Sequence, residues 1–375
     1  MLLHLTNAPR DYAWGSDSLL AELEGREPTG APEAEVWFGD HPGDPADVTD
    51  GGTLDTVTGG KLPYLLKLLA AAQPLSIQVH PTIDQARDGW RRESALAPDA
   101  PERNYRDANH KPELLVALSD RFESLSGLRP VAETLALLDA LEATPGVVAL
   151  RARLSTDGDA LRETIEWLLD GSAGDAVDEI IDAVVQSAGG EAAGEWATTL
   201  RAVATIAETY PGDPGVVVAL LMNHVVLRRG QGVFLRAGLL HAYLSGLGVE
   251  IMAASDNVLR GGLTPKRIDV PELLAIVDTT PGVVPVLRPE AAGPVASYDV
   301  PVSDFALRRV TLSGDPVTID VEGPAMVLST AGDVSVGGVD ATVDIAVGSV
   351  AYASREENSL TLSGVGEAFV ATPGH

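Results

Sequence analysis

Pro74-Leu75-Ser76-Ile77-Gln78-Val79-His80-Pro81 has the two-residue period of a β-strand. Side chains of a strand alternate between faces, so Ser76, Gln78 and His80 are expected to project the same way. On an outer face those three polar groups would simply be hydrated. On an inner face they need a metal, a ligand or one another. A Gln-x-His pair alone does not choose between these readings.

Outward from this strand, residues 1 to about 125 read as short β-rich segments such as Ala34 to Phe38, punctuated by Gly, Pro and Asp. One helix is expected from Thr82 to Arg92, because a Thr cap follows Pro81 and Ile83, Ala86 and Trp90 recur at helical spacing. Between about residue 129 and residue 222 the period changes. Val131 to Glu142, Asp159 to Asp170, Asp175 to Gln186 and Glu195 to Thr209 each carry apolar residues at three- and four-residue intervals, which predicts a helical insertion. Strand character returns at Val225 to Leu235 and runs on through Glu250 to Met252. A helical patch at Pro271 to Val277 then leads into a Pro- and Gly-rich linker. Residues 295–375 repeat short apolar stretches between Gly-containing turns, the pattern of a second all-β unit. Its only histidine is His375, so no metal site is expected there. The divisions are therefore a discontinuous β-unit over 1–128 and 223–280, the insertion 129–222, a linker 281–294 and the C-terminal unit 295–375.

Composition narrows the function. The 375 residues are 45% hydrophobic and 21% charged, enough for more than one core. There is no cysteine, so any metal must be held by nitrogen and oxygen ligands. A formal charge of −28 argues against nucleic acid and anionic lipid as partners. The apolar run Leu62 to Val79 is broken by Lys67, Gln73 and Pro74, which excludes it as a membrane span. No targeting leader is legible at the N-terminus, and the expected location is the cytoplasm. Only four of the 26 basic residues are lysines, and two of them, Lys111 and Lys266, fall inside chemical motifs. In a chain that uses arginine for bulk positive charge, such lysines point to function.

Three further segments carry those motifs. Asn109-His110-Lys111-Pro112-Glu113 leads into the apolar run Leu114 to Leu118, and a carboxylate at the mouth of a core strand needs a partner. Phe234-Leu235-Arg236-Ala237-Gly238-Leu239-Leu240-His241-Ala242-Tyr243 turns at Gly238 and presents His241, a placement that suits either a metal ligand or a hydrogen-bonded core histidine. From Gly248 to Lys266, alternation puts Glu250 and Met252 on one face, Ser255, Asp256 and Asn257 form a polar turn, and Arg260 and Lys266 flank Gly261 and Gly262. Glycines there would let the backbone approach a ligand closely. The plainer reading pairs Arg260 and Lys266 with acids such as Asp256 and Asp269.

These four segments, with Tyr12-Ala13-Trp14-Gly15-Ser16 and Glu35-Val36-Trp37-Phe38-Gly39-Asp40-His41-Pro42, resemble those of the type I mannose-6-phosphate isomerases, in the right order from residue 12 to residue 266. The resemblance implies a mainly β fold of the cupin (jelly-roll) type with a helical insertion and a second cupin-like β-domain. It implies one zinc ion per chain, held by Gln78, His80, Glu113 and His241, with manganese or cobalt as possible substitutes. One departure is Arg236, where the family usually has Pro. The implied reaction interconverts an aldose phosphate and a ketose phosphate through an enediolate, a step in carbohydrate metabolism that can supply GDP-mannose. Arg260 would face the developing charge and zinc would polarise the substrate oxygens. Candidates for moving the proton are Lys111, Glu250, Asp256 or a water. Ser76, Arg260 and Lys266 are the candidates for sugar and phosphate contacts. The partner is then a sugar phosphate, and the oligomeric state stays open, a monomer being compatible. Two competing readings remain. A cupin oxygenase would normally place a histidine where Gln78 stands, and a non-catalytic sugar-phosphate sensor would have lost a ligand or the arginine.

Overall fold

The computed structural model describes residues 1–374, the side chains of 191 and 192 excepted, and His375 lies outside them. Two antiparallel sheets of ten strands each, with helices between residues 131 and 220, make the fold mainly β. The site sheet is organised by the long strand His241–Ala253. Its second half lies between Tyr64–Ala71 and Glu113–Ala117, and its first residues pair with Ile77–Val79 and Phe122–Leu128.

All eight residues of Tyr64–Ala71 are buried, as expected of a continuous apolar run covered on both faces. Period-two alternation divides those faces. Tyr64, Leu66, Leu68 and Ala70 join Leu114, Val116, Val249 and Ile251 in a core shared with Phe369, Leu328 and Tyr352 of the other sheet. The opposite face carries Lys67, which stands opposite Glu250 in register, while Met252 stands opposite Glu113. The placement of Glu250 and Met252 on one face therefore holds.

The helix Ile83–Arg92 begins at Thr82 with a reciprocal cap, in which Gln85 N donates to Thr82 Oγ1 (3.3 Å) and Thr82 N to Gln85 Oε1 (2.8 Å). Four of the helices between residues 131 and 220 fall on the segments read from sequence, at Val131–Leu138, Ala160–Leu169, Ala176–Ser187 and Ala197–Thr209. Two more, Pro145–Leu154 and Gly215–Leu220, pack into the same core. Pro145-Gly146 reads as loop punctuation, yet Thr144 caps this helix and Pro at its first position costs no hydrogen bond. Gly146 is needed for packing, since a Cβ there would sit 2.6 Å from the carbonyl oxygen of Ala176. The single strand expected over 225–235 is two, Met222–Leu227 and Gly232–Leu235, separated by a turn at Gly230.

The expected block 1–128 requires correction. Leu2–Thr6 and Asp47–Val48 belong to the C-terminal sheet, where Leu2 pairs with Ala353, Leu5 with Val350 and Leu5 also with Val48. Leu2–Thr6 finds its partner strand Val350–Ala353 at the far end of the chain, a partnership that no local pattern encodes. The linker is also not free chain, because Val286–Leu287 pairs with Val233 and Gly232. No helix among the described residues is long and apolar enough to cross a membrane.

Candidate metal centre

His80 directly follows the strand Ile77–Val79, Glu113 opens Glu113–Ala117, and His241 opens His241–Ala253. Strand ends from three separate segments thus deliver three side chains to one buried point, where their ligand atoms all lie within 4.8 Å of one another. His80 Nε2 is 3.3 Å from Glu113 Oε1, and His241 Nε2 is 3.4 Å from Glu113 Oε2.

The protons of both rings are assigned by their other nitrogens. His80 Nδ1 donates to the carbonyl of Asn257 (2.7 Å) and His241 Nδ1 donates to the carbonyl of Leu239 (3.1 Å). With Nδ1 so engaged, Nε2 is in each ring the atom left to face the carboxylate, and a cation between them would be bound by all three groups. His80 Nε2 is buried and has no hydrogen-bond partner. Burial, with Lys111 nearby, brings the His80 pKa down to about 4, so the ring is neutral and able to ligate. Glu113 moves the other way from what burial alone would do. Lys111, whose Nζ is 2.6 Å from Oε1, opposes the desolvation and is the main cause that holds the carboxyl well below its usual range. Two imidazoles and an ionised carboxylate, buried together, fit a divalent ion such as zinc.

Gln78 is half-buried and its amide donates to Ser76 Oγ (3.3 Å). It is the register partner of His241 on one side and of Arg260 on the other. The turn before His241 needs Gly238, whose φ is +79° and whose N–H donates to the His80 carbonyl (2.9 Å). Arg236, in the position where Pro was expected, instead bonds Asp278 Oδ2 (2.5 Å) and so ties the turn down by an ion pair.

Beside the triad lies a second buried group that the sequence reading did not assign. Lys67 Nζ is 3.3 Å from Glu250 Oε2 and 3.6 Å from Glu35 Oε1, and lies over the Trp37 ring. Tyr243 OH donates to Glu250 Oε1 (2.7 Å) and Trp37 Nε1 to Glu35 Oε2 (2.8 Å). Desolvation would lower the Lys67 pKa, but Glu35 and Glu250 overcome it and the ammonium stays charged. Burial pushes the Glu250 carboxyl up, opposed by Lys67. The available signal was a lysine within an eight-residue apolar run.

A cleft of about 420 Å³ opens nearby, lined by Arg106, Asp256, Arg260, Lys266 and Arg267 among others. The triad does not line it; Arg260, opposite Gln78 in register, connects the two. Arg260 and Lys266 do not pair with Asp256 or Asp269 as the plainer reading expected. Asp256 is taken by His41 (3.0 Å), which lowers its pKa, and Asp269 by Arg267 (2.6 Å). Gly262 is required by packing, because a Cβ there would lie 2.4 Å from the Cα of Gly215.

Fold and site together define a β-rich enzyme class, with a buried His-His-Glu set able to hold a divalent ion and a cation-lined cleft beside it. Residues 2–131 match the catalytic domain of phosphomannose isomerase type I. The mannose-6-phosphate isomerase of Escherichia coli K12 is 37% identical, with 96% of this chain and 97% of that protein covered. The human mannose-6-phosphate isomerase is 31% identical, with 83% and 82% covered. The crystal structure of the mannose 6-phosphate isomerase from Salmonella typhimurium, bound to fructose 6-phosphate and zinc, superposes with a TM-score of 0.89 at 32% identity, over 100% of both chains. The chain belongs to the type I phosphomannose isomerase family and is an isomerase.

Proposed function

We propose that this protein interconverts mannose 6-phosphate and fructose 6-phosphate, with a zinc ion held by Gln78, His80, Glu113 and His241 in a cupin-type β-unit. The observation that carries the reading is the convergence of two imidazole Nε2 atoms on Glu113, that of His80 buried without a hydrogen-bond partner. When bound, the metal supplies a Lewis acid that orients and polarises substrate oxygens. The chain's own residues do the rest. Moving a proton between C1 and C2 passes through an enediolate, whose negative oxygen Arg260 faces with a guanidinium free of any carboxylate among the described residues.

The three candidate bases differ in surroundings. Lys111 is bonded to Glu113 and Glu250 is buried against Lys67, whereas Asp256 is half exposed, is kept ionised by His41 and lines the cleft. We therefore assign the proton transfer to Asp256, and phosphate contacts to Lys266, Arg260 and Ser76. Lys111 positions Glu113, and Tyr243 with Lys67 positions Glu250. A coupled assay following mannose 6-phosphate to fructose 6-phosphate should register turnover that chelator abolishes and zinc restores. Undiminished turnover by metal-free protein would refute the reading.

A further inference from the structure

We propose that Arg106, on the loop between Tyr105 and Asp107, is a third phosphate-binding cation and the residue that sets how strongly this cleft prefers a phosphorylated sugar. The inference rests on the sugar-phosphate reading above. Five cationic side chains line the cleft, and their partners sort them. Arg103 is spent on structure, donating to the carbonyls of Tyr105 (2.8 Å) and Leu96 (3.0 Å) and lying over Trp90. Arg267 is neutralised by Asp269. Arg106, Arg260 and Lys266 have no ion pair among the described residues. The side chain of Arg106 bonds only the carbonyl of Pro98.

These three charges press on one another. Burial first and then Arg106 lower the Arg260 pKa, and Arg260 is the main cause that lowers Lys266. The cleft also holds Asp256 and Asp269, but these are paired with His41 and Arg267, and none of the three cations has a carboxylate within ion-pair distance among the described residues. Unpaired like charges so gathered are stabilised by a bound anion, and a phosphate dianion needs more than one cation. Arginine adds a planar fork that can bond two phosphate oxygens at once.

The backbone of Arg106 is also tied to the metal centre. Its backbone N–H donates to Asn257 Oδ1 (2.7 Å), and the carbonyl of the same Asn257 accepts from His80 Nδ1 (2.7 Å). The fully buried Asn257 amide further donates to the carbonyls of Asp107 (2.9 Å) and Asn109 (2.8 Å). One side chain thus sets the spacing between a ligand to the ion and a ligand to the phosphate.

The test compares Arg106→Gln, Arg106→Lys and, as a control outside the cleft, Arg228→Gln at an exposed arginine just after the strand Met222–Leu227, all in the zinc-loaded enzyme. Two readouts are used, steady-state kinetics with mannose 6-phosphate and calorimetric titration with inorganic phosphate. Arg106→Gln should raise KM roughly tenfold with kcat unchanged and weaken phosphate binding by a similar factor, since the contact is equal in ground and transition states. Arg106→Lys should recover part of both losses. Arg228→Gln should match wild type, and all three should melt at the wild-type temperature. Unchanged KM and unchanged phosphate affinity in Arg106→Gln would overturn the proposal, as would an equal loss in Arg228→Gln. Arg106-dependent phosphate binding by a protein that does not isomerise the sugar would uphold the anion site and sink the reaction. Normal isomerisation without Arg106 dependence would do the reverse.

Discussion

Glu113 is asked to serve Lys111 with one oxygen and the His241 side of the site with the other. Its ionised state is therefore secured before any metal arrives. The two histidines are prepared in the same way, since backbone carbonyls hold their Nδ1 protons and leave Nε2 bare. At this scale the sharpest separation lies between Arg260 and Lys266. A group that meets charge developing in the enediolate should, when weakened, reduce kcat, so Arg260→Lys, which loses the fork but keeps a positive charge for the phosphate, should show a reduced kcat with little change in KM. Lys266→Ala should mainly raise KM, by about 1.5–3 kcal/mol for one charge-assisted hydrogen bond. Steady-state kinetics on the two variants decide it. Wild-type kcat in Arg260→Lys with a lowered melting temperature would place Arg260 in structure instead of chemistry.

Strand ends position this chemistry, and the strands themselves carry separable stability. On the pair Phe122–Leu128 and Met222–Leu227, His224 Nε2 lies 2.7 Å from Glu123 Oε2, and Arg121 holds the other oxygen at 2.6 Å. The hydrogen bond from His224, working against burial and with help from Arg121, brings the Glu123 pKa down from 4.5 to about 2. A depressed carboxyl stabilises the fold above its unfolded pKa, and that contribution is lost as pH falls through the folded value. Between pH 4.5 and 2 the melting temperature of wild type should therefore fall more steeply than that of Glu123→Gln. Parallel curves would remove Glu123 from the acid response. The elements carrying the triad were legible, because QxH, HKPE and Gly-x-x-His-Ala-Tyr each sit at a strand end that alternation or a turn marks. Lys67 was not. A lysine in an apolar run reads only as an interruption, and the acids that explain it, Glu35 and Glu250, come from two other strands. The helix Pro145–Leu154 was missed for the opposite reason, its start signal also being a loop signal.

Across the whole molecule the two sheets share one apolar core, in which Leu5, Leu66 and Leu114 meet Leu328 and Phe369. Tyr64 OH adds hydrogen bonds to the carbonyls of Pro324 and Ala371, both at 3.2 Å. This joint was invisible in sequence, because the partners of Leu2–Thr6 lie at Val350–Ala353 and only folding brings them together. Leu5→Ala, at a fully buried position, should cost about 2–5 kcal/mol of stability while leaving the metal content unchanged, since the triad lies elsewhere. Denaturant unfolding with metal analysis of the folded fraction checks both halves. Loss of metal at unchanged stability would mean that the joint reaches the site.

Whether His80, Glu113 and His241 hold the ion on which isomerisation depends is decided by titrating zinc into chelator-stripped protein while following both bound metal and turnover. Wild type should gain activity in proportion to zinc bound and saturate at one ion per chain, whereas His80→Ala and His241→Ala should each bind zinc loosely and stay inactive. Retention of one tightly bound ion per chain after both substitutions would place the ion elsewhere, and full activity before any zinc is added would show that isomerisation does not need it.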